Sequence, residues 1–194
     1  MKTSDRIIES AVALLDSGGI SAVTLRAVGQ ASGLSHNAPY KHFDNRDSLL
    51  SAIAIQEFHG LAAAFAAAGQ EQVSPLTRLK QALRVFSSYG RDYPNRYQLL
   101  FSDPEIAQQE GDLPRAAMAS FAAFAALVAE CQTASVLPGV ATPALAGLIY
   151  ASVHGLVDLQ ASGRMKTEKG FMTVDDGVTL LLKLLAFEEL ENQA

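Results

Sequence analysis

The chain has 194 residues, of which 49% are hydrophobic and 18% charged, and its net charge is −5. This composition is typical of a soluble globular protein and excludes an extensively disordered one. The length is enough for one sizeable core, or for a small domain joined to a larger one. A single cysteine, Cys131, cannot form an internal disulfide, so nothing indicates an oxidising compartment. The N-terminal segment does not resemble a signal peptide, and we therefore expect a cytoplasmic protein.

Charge is distributed unevenly along the chain. The first 50 residues carry five basic and five acidic side chains, so the whole net charge of −5 lies in the remainder. Three of those basic side chains, Arg26, Lys41 and Arg46, lie close together in sequence, beside His36 and His42. An acidic total argues against nucleic-acid binding, whereas a local basic face on an acidic body is expected of a ligand-binding regulator.

Three short helices are predicted before residue 45. The first covers 5–16, where apolar residues recur at helical spacing before a Gly-Gly pair. Thr24 has the position of an N-cap for the second helix, and Gly33 that of a tight reversal. The third helix is predicted over 36–42, with Pro39 close enough to its start to be tolerated.

The rest of the chain is predicted to form longer helices over 45–69, 75–93, 95–101, 113–133, 143–162 and 174–190. Ser74-Pro75 and Thr142-Pro143 each indicate a cap followed by a first-turn proline. Thr173 with Asp176 resembles a capping box. No strand is predicted, so the fold class is all-α with about nine helices. The uncharged segment around 144–153 is too short to span a bilayer, and no membrane contact is expected.

The segment from Thr24 to Leu50 has the features of a DNA-binding helix-turn-helix. Such a motif requires a bracing helix, side chains that reach base edges, and donors for the flanking phosphates. Small side chains at 27, 29 and 31 let the second helix approach the third closely. We therefore divide the chain into a helix-turn-helix DNA-binding domain, 1–48, and a helical ligand-binding and dimerisation domain, 49–194.

Several polar side chains of this segment match the chemistry of DNA. Arg26 and Lys41 are predicted to donate to guanine, and Asn37 to pair with adenine or a phosphate. Thr24, Ser35 and Tyr40 are placed to hold backbone oxygens. Arg46 adds a cation at a helix N-terminus, which already favours anions.

The segment resembles the DNA-binding domain of TetR-family transcriptional regulators. The matching pieces are Arg6-Ile7-Ile8, Gly18-Gly19, Thr24-Leu25-Arg26, Ala31-Ser32-Gly33-Leu34-Ser35, Tyr40-Lys41-His42-Phe43 and Arg46-Asp47-Ser48-Leu49-Leu50. The resemblance implies that Arg26, Asn37, Tyr40, Lys41 and His42 approach DNA. It places Thr24, Ser35 and Arg46 on phosphates.

A second resemblance concerns the C-terminal half. Tyr150-Ala-Ser-Val-His154-Gly155-Leu156 resembles a C-terminal domain of some TetR-like regulators that is named for Trp, His and Gly, with Tyr150 in place of Trp. In that family the last two helices pair with their copies, which implies a dimer interface here. We place six apolar residues at or near this interface: Leu148, Tyr150, Leu156, Leu181, Leu184 and Leu185. A place in the core of the same chain is an equal alternative for them.

Aromatic residues of the middle helices are candidates for an effector pocket, although side chains at helical spacing more often form core. The candidates are Phe86, Tyr89, Tyr97, Phe101, Met118, Phe121 and Phe124. Their mixture with alanine suits a mostly apolar ligand.

His154 and Asp158 share one helix face and suggest either half of a metal site or a packed histidine with a nearby acceptor. No further ligand motif completes a site, so no metal and no cofactor is predicted. No phosphate-binding loop or catalytic triad order occurs, and no enzymatic activity is expected.

The sequence thus predicts a homodimeric DNA-binding regulator, a repressor, that binds a palindromic operator and is released by a small, mostly apolar effector. The alternative is a helical ligand-binding or metal-dependent protein that has kept the fold without binding DNA. The acidic total and the His154/Asp158 pair are the features that favour this alternative.

Overall fold

The fold was analysed in a computed structural model that describes residues 2–35, 37–170 and 173–186. Over these ranges the chain forms nine α-helices and no strand, which confirms the all-α prediction. The helices are α1 Thr3–Gly18, α2 Leu25–Ala31, α3 Arg46–Gly69, α4 Pro75–Asp92, α5 Pro94–Phe101, α6 Pro104–Ala107, α7 Asp112–Thr133, α8 Thr142–Ala161 and α9 Val174–Leu185.

The predicted third helix, 36–42, is wrong in extent. The structure has only a short 3₁₀ helix, Pro39–Lys41, in its place. Proline has no N–H, so residue 39 cannot donate to the carbonyl of Ser35, which accepts instead from the Ala38 N–H at 2.8 Å. The N–H groups of Lys41 and His42 donate to the carbonyls three residues earlier, which is the bonding pattern of a 3₁₀ helix. The number of α-helices in the described ranges is still nine, because α6 was not predicted and takes the place of the lost third helix in the count.

The helix starts follow local capping chemistry. Thr24 accepts the Ala27 N–H at 3.1 Å, and Thr173 and Asp176 form the predicted reciprocal capping box. The Thr142 prediction was wrong, because Thr142 is the first residue inside α8 and its hydroxyl hydrogen-bonds Gln132 at 2.6 Å. The predicted end of the last helix, residue 190, lies outside the described residues.

The chain packs into two compact units, and the division falls within α3 and α7. The first unit comprises Met1–Gly60 and Asp92–Ala119. In it α1 packs against α2 and α5, and α5 against α6. Its core includes the fully buried side chains Ile7, Leu15, Val28, Leu49 and Ile53. This unit carries every residue that is predicted to contact DNA, whereas the predicted domain boundary at residue 48 stays a prediction.

The second unit comprises Leu61–Arg91 and Ser120–Ala194. Here α8 packs against α9, and the approach is close at Gly177, where an added Cβ would lie 2.6 Å from a Leu156 methyl group. Phe65 and Phe124 pack with ring centroids 5.7 Å apart in the core. Gln132 organises the loop before α8, since its amide donates to the carbonyls of Pro138 and Val140.

Three of the described helices, α3, α7 and α8, are long and apolar enough to cross a membrane by length and composition alone. The apolar stretch of α8 is longer than the predicted segment 144–153, so the expected length limit on that segment was wrong. About a third of the most apolar stretch of each helix is buried against the rest of the fold.

Candidate nucleic-acid interface

The predicted tight reversal after α2 is present at Gly33. Its φ of +62° lies in the left-handed region, which glycine adopts without steric cost. A Cβ at this position would also lie 3.2 Å from the Arg6 guanidinium. The reversal directs the chain from α2 into the segment that carries the predicted base-contacting residues.

Residues 37–43, named here the recognition turn, present their polar side chains to solvent. Asn37, Lys41 and His42 are exposed, and Tyr40 retains 52% of its accessible surface. Ala38 and Pro39 point the other way and are buried. Backbone bonds from the N–H groups of 41, 42 and 43 to the carbonyls of 38 and 39 hold the turn in one conformation. The outward placement has the geometry that contacts with bases require.

The bracing helix α2 contributes a second polar surface. Arg26 and Gln30 are one helical turn apart, and both are exposed. With Gly29 and Leu34 they line a concavity of about 280 Å³. Gln30 was not predicted as a contact, although its spacing of four residues from Arg26 was the available signal.

Thr24 and Ser35 are both exposed at the ends of this motif. The Thr24 hydroxyl oxygen is occupied as the cap acceptor for Ala27. Because a hydroxyl both accepts and donates, its hydrogen can still be directed at a phosphate oxygen.

Arg46 has partners other than the predicted phosphate. Its Nε donates to the carbonyl of Val23 at 2.9 Å, and its Nη2 donates to that of Ile20 at 2.7 Å. Its Nη1 lies 3.8 Å from a carboxylate oxygen of Glu105. These bonds hold the guanidinium against the loop between α1 and α2, and the predicted phosphate contact of Arg46 stays a prediction.

The predicted pocket residues are divided between the two units. In the first unit Tyr97 and Phe101 stack within the fold with ring centroids 5.0 Å apart, and Met118 is exposed. In the second unit Phe86, Phe121 and Phe124 surround Tyr150, with ring centroids between 4.9 and 5.8 Å from it. Tyr89, also in the second unit, is half-buried.

A cavity of about 220 Å³ lies within the first unit. Of the predicted pocket residues, Met118 lines it. The lining is apolar except for the side-chain amide of Gln109, and it consists of Phe58, Leu100, Ile106, Ala107, Gln109, Leu113, Pro114, Ala117 and Met118. Phe101 packs edge-on against Phe58 at 5.7 Å, so it supports the cavity wall from behind.

His154 is packed among aromatic rings. The rings of Tyr150 and Phe86 lie 4.6 and 4.8 Å from it. Burial lowers the pKa of His154 to about 4, against the opposing effect of the Asp158 carboxylate. Within the described ranges no three His, Cys, Asp or Glu side chains form a metal-binding group.

Burial also affects the one cysteine. It raises the pKa of the Cys131 thiol to about 11, which keeps the thiol protonated and unreactive.

The six residues predicted for a dimer interface fall into two groups. Leu148 and Leu184 retain 57% and 75% of their accessible surface. Leu181 and Leu185 are half-buried on α9, and Leu156 contacts Gly177 between α8 and α9. Tyr150 belongs to the aromatic core of the second unit, which supports the alternative role for that residue.

Comparison with known proteins adds independent information. Residues 79–184, more than half of the chain, match the family described as tetracyclin repressor-like, C-terminal domain. Residues 7–53 match the family of bacterial regulatory proteins named tetR. The subset named for Trp, His and Gly stays a prediction.

Among individual proteins, the probable acrEF/envCD operon repressor of Escherichia coli (strain K12) is 29% identical over 102 residues. The match covers 52% of this chain, which spans about half the length (46%) of that repressor.

Solved structures share the fold at low sequence identity. A protein of unknown function from Rhodococcus sp. RHA1 superposes with a TM-score of 0.80 at 24% identity, with 95% of this chain and 93% of that chain covered. A putative tetR family transcription regulator from Shewanella sp. PV-4 has a TM-score of 0.71 at 14% identity, over 97% and 100% of the two chains. The chain belongs to the TetR family of transcription regulators.

Proposed function

We propose that the protein is a cytoplasmic repressor that binds a palindromic operator as a homodimer and is released by a small, mostly apolar effector. The observation that carries the proposal is the recognition turn, whose Asn37, Tyr40 and Lys41 are exposed. The family and the fold are those of transcription regulators rather than enzymes.

Each exposed side chain of the motif has a matching partner on DNA. Lys41 and Arg26 carry the charge and donors that suit O6 and N7 of guanine, and the Asn37 amide suits N6 and N7 of adenine. Thr24, Ser35 and Tyr40 supply hydroxyl groups for phosphate oxygens, and His42 lies at the edge of the same surface. Arg46 is left out of the proposed contacts because its guanidinium is bound to Ile20 and Val23 carbonyls.

An apolar face on the last two helices supports the homodimer. Leu148 and Leu159 on α8, and Leu180 and Leu184 on α9, are exposed leucines. Gly155 lies on the exposed side of α8, and among the described residues no atom beyond its chain neighbours and its own helix backbone lies within 4 Å of a Cβ placed there. An exposed cluster of large apolar side chains is typical of a surface covered in the assembly. A second copy of the chain would cover it and would present two recognition turns to one operator.

The cavity in the first unit is the proposed effector site. The cavity is partly open, since its lining includes the exposed Met118, and its volume of about 220 Å³ has room for a compact molecule of one or two rings. Gln109 provides one amide that both donates and accepts. An effector that binds more tightly to a form with low DNA affinity shifts the population toward that form, in proportion to its differential affinity.

Selection from a pool of random duplexes tests the DNA-binding proposal. The purified protein is incubated with the pool, and bound duplexes are amplified and sequenced over several rounds. We expect enrichment of a palindrome with half-sites about one helical turn apart, roughly 34–36 Å. Enrichment of a single half-site would contradict the dimer, and a pool that stays random would contradict sequence-specific binding.

Methyl NMR with indole as the probe tests the effector site. Indole should shift the methyl resonances of Leu100, Ile106 and Met118, and Ala117→Phe should abolish the shifts because the ring fills the cavity. Ala129→Phe, in the second unit, is the control for a general effect of an added ring. Shifts of equal size in both variants would contradict the site.

A further inference from the structure

Arg96, near the start of α5, binds two carboxylates that lie on two other helices. Its Nε and Nη2 donate to the two oxygens of Asp16, at 2.8 and 2.6 Å. Its Nη1 donates to Oε1 of Glu57 at 3.2 Å. Asp16 lies in the last turn of α1, and Glu57 lies on α3. The side chain therefore joins α1, α3 and α5 within the first unit.

This geometry is more specific than that of an ordinary surface ion pair. The two parallel bonds to Asp16 use the planar fork of the guanidinium, the arrangement that gives arginine–carboxylate pairs their directionality. The Arg96 side chain is 20% exposed and that of Glu57 is 11% exposed, so solvent screens the charges only partly. The Tyr93 ring lies 4.3 Å from the guanidinium carbon and limits its movement.

The neighbouring Asn95 strengthens the same junction. Its side-chain amide donates to the Asp16 backbone carbonyl at 3.0 Å. The end of α1 is thus held by both the backbone and the side chain of Asp16. Each bond comes from the first turn of α5, so any movement of α5 is transmitted to α1.

The junction lies directly upstream of the DNA-binding segment. After Asp16 the chain passes through the loop at 20–23, whose carbonyls bind Arg46 at the start of α3. The segment from α2 to the recognition turn therefore begins just after Val23 and ends just before Arg46, which are joined by one of these hydrogen bonds, and Asp16 lies upstream of both. Fully buried side chains of α1, α2 and α3 form a three-helix core, and Arg96 adds polar bonds to the direct packing of α5 against α1.

We propose that Arg96 is a positioning residue for DNA binding, which holds the recognition turn in its binding orientation through Asp16 and does not contact DNA. This inference rests on the proposed DNA binding and does not depend on the proposed effector. Loss of the Asp16 bonds should leave the three-helix core folded and allow its orientation to vary. Affinity for DNA should fall because fewer molecules have the binding-competent orientation.

A double-mutant cycle with Arg96→Gln and Asp16→Asn tests the proposal. The two single variants and the double variant are titrated by fluorescence anisotropy against one labelled duplex. Its sequence is fixed and is the one selected by the wild-type protein. We expect each single change to lower affinity about tenfold and the double change to add little, because the two residues act as one unit. The slope of log K against log[salt] should stay that of the wild type, since no phosphate contact is lost.

Two further variants complete the test. Arg84→Gln removes a more exposed arginine–carboxylate pair, Arg84–Asp175 at 3.1 Å, from the second unit and should leave affinity unchanged. Arg96→Lys keeps the charge without the fork and should give an intermediate affinity even if Arg96→Gln folds poorly. Wild-type affinity in folded Arg96→Gln and Asp16→Asn would overturn the proposal. A salt slope reduced by about one would also overturn it, because it would make Arg96 a phosphate contact.

Discussion

At the scale of single residues, Lys41 tests the proposed phosphate and base contacts most simply. Lys41→Ala should weaken DNA binding and lower the magnitude of the salt slope by about 0.9, because one fewer counterion is released. Lys166→Ala, an exposed lysine of the second unit, is the matched control. A Lys41 variant with the wild-type slope would remove this side chain from the interface.

His154 gives a prediction about the dependence of stability on pH. Because burial lowers its pKa from 6.5 to about 4, the folded state disfavours the proton. Its contribution to the free energy of unfolding is complete above about pH 6.5 and is lost as the pH falls toward 4. After allowance for solvent screening, we expect this effect to lower the free energy of unfolding by about 1–2 kcal/mol at pH 5, relative to its value above pH 6.5.

Urea unfolding at several pH values, with wild type and His154→Gln, measures this contribution. The carboxylates titrate in both proteins, so the difference between the two curves isolates the histidine. The wild-type curve should fall more steeply between pH 6.5 and 5. Parallel curves over that range would mean that His154 is as accessible to protons in the folded state as in the unfolded state.

At the scale of elements, the turn between α2 and the recognition turn depends on Gly33. Gly33→Ala should destabilise the fold by about 1–2 kcal/mol, because its φ of +62° is strained for any residue with a Cβ. Gly60→Ala is the opposite case, since Gly60 lies in α3 with open space around its Cα. That change should stabilise by up to about 1 kcal/mol.

Thermal or chemical unfolding of the two glycine variants checks both signs in one experiment. Destabilisation by both variants would show that Gly60 has an unrecognised packing role. A neutral effect of Gly33→Ala would show that the turn relaxes to another conformation.

The helices that the sequence predicted well are those whose ends depend on neighbouring residues. Thr24, Ser74 and Thr173 each accept a backbone N–H three residues ahead, as their positions indicated. The exposure of Asn37 and Lys41 was also predictable, because it follows from the apolar spacing around them. Local bonding and periodicity can both be inferred from a single sequence.

The features that were missed depend on distant partners or on a single backbone bond. Arg46 and Arg96 bind carbonyls and carboxylates that are 23 to 80 residues away in sequence, and no local pattern indicates such pairings. Thr142 faces Gln132 for the same reason. The recognition turn also differs from the predicted helix, because the N–H groups of Lys41 and His42 bond three residues back and the sequence pattern does not indicate that choice.

At the scale of the whole molecule, the homodimer depends on the exposed leucines of α8 and α9. The double variant Leu148→Glu with Leu184→Glu places two buried charges in the proposed interface and should convert the dimer to monomers. DNA affinity should fall with it, because one recognition turn contacts only one half-site. Sedimentation equilibrium measures the mass directly.

The control for the dimer variant is Val73→Glu, which adds the same charge to an exposed apolar residue in the loop before α4. It should remain dimeric. A wild-type protein that sediments as a monomer at micromolar concentration, or a double variant that stays dimeric, would place the interface elsewhere or exclude it.

The central claim is that residues 37–41 determine which bases the protein prefers, once in each half of a symmetric site. Repeating the duplex selection with Asn37→Ala and with wild type measures this most directly. We predict that the preference changes at one position in each half-site, symmetrically about the centre, while the other positions keep their bases. An unchanged preferred sequence would contradict the claim.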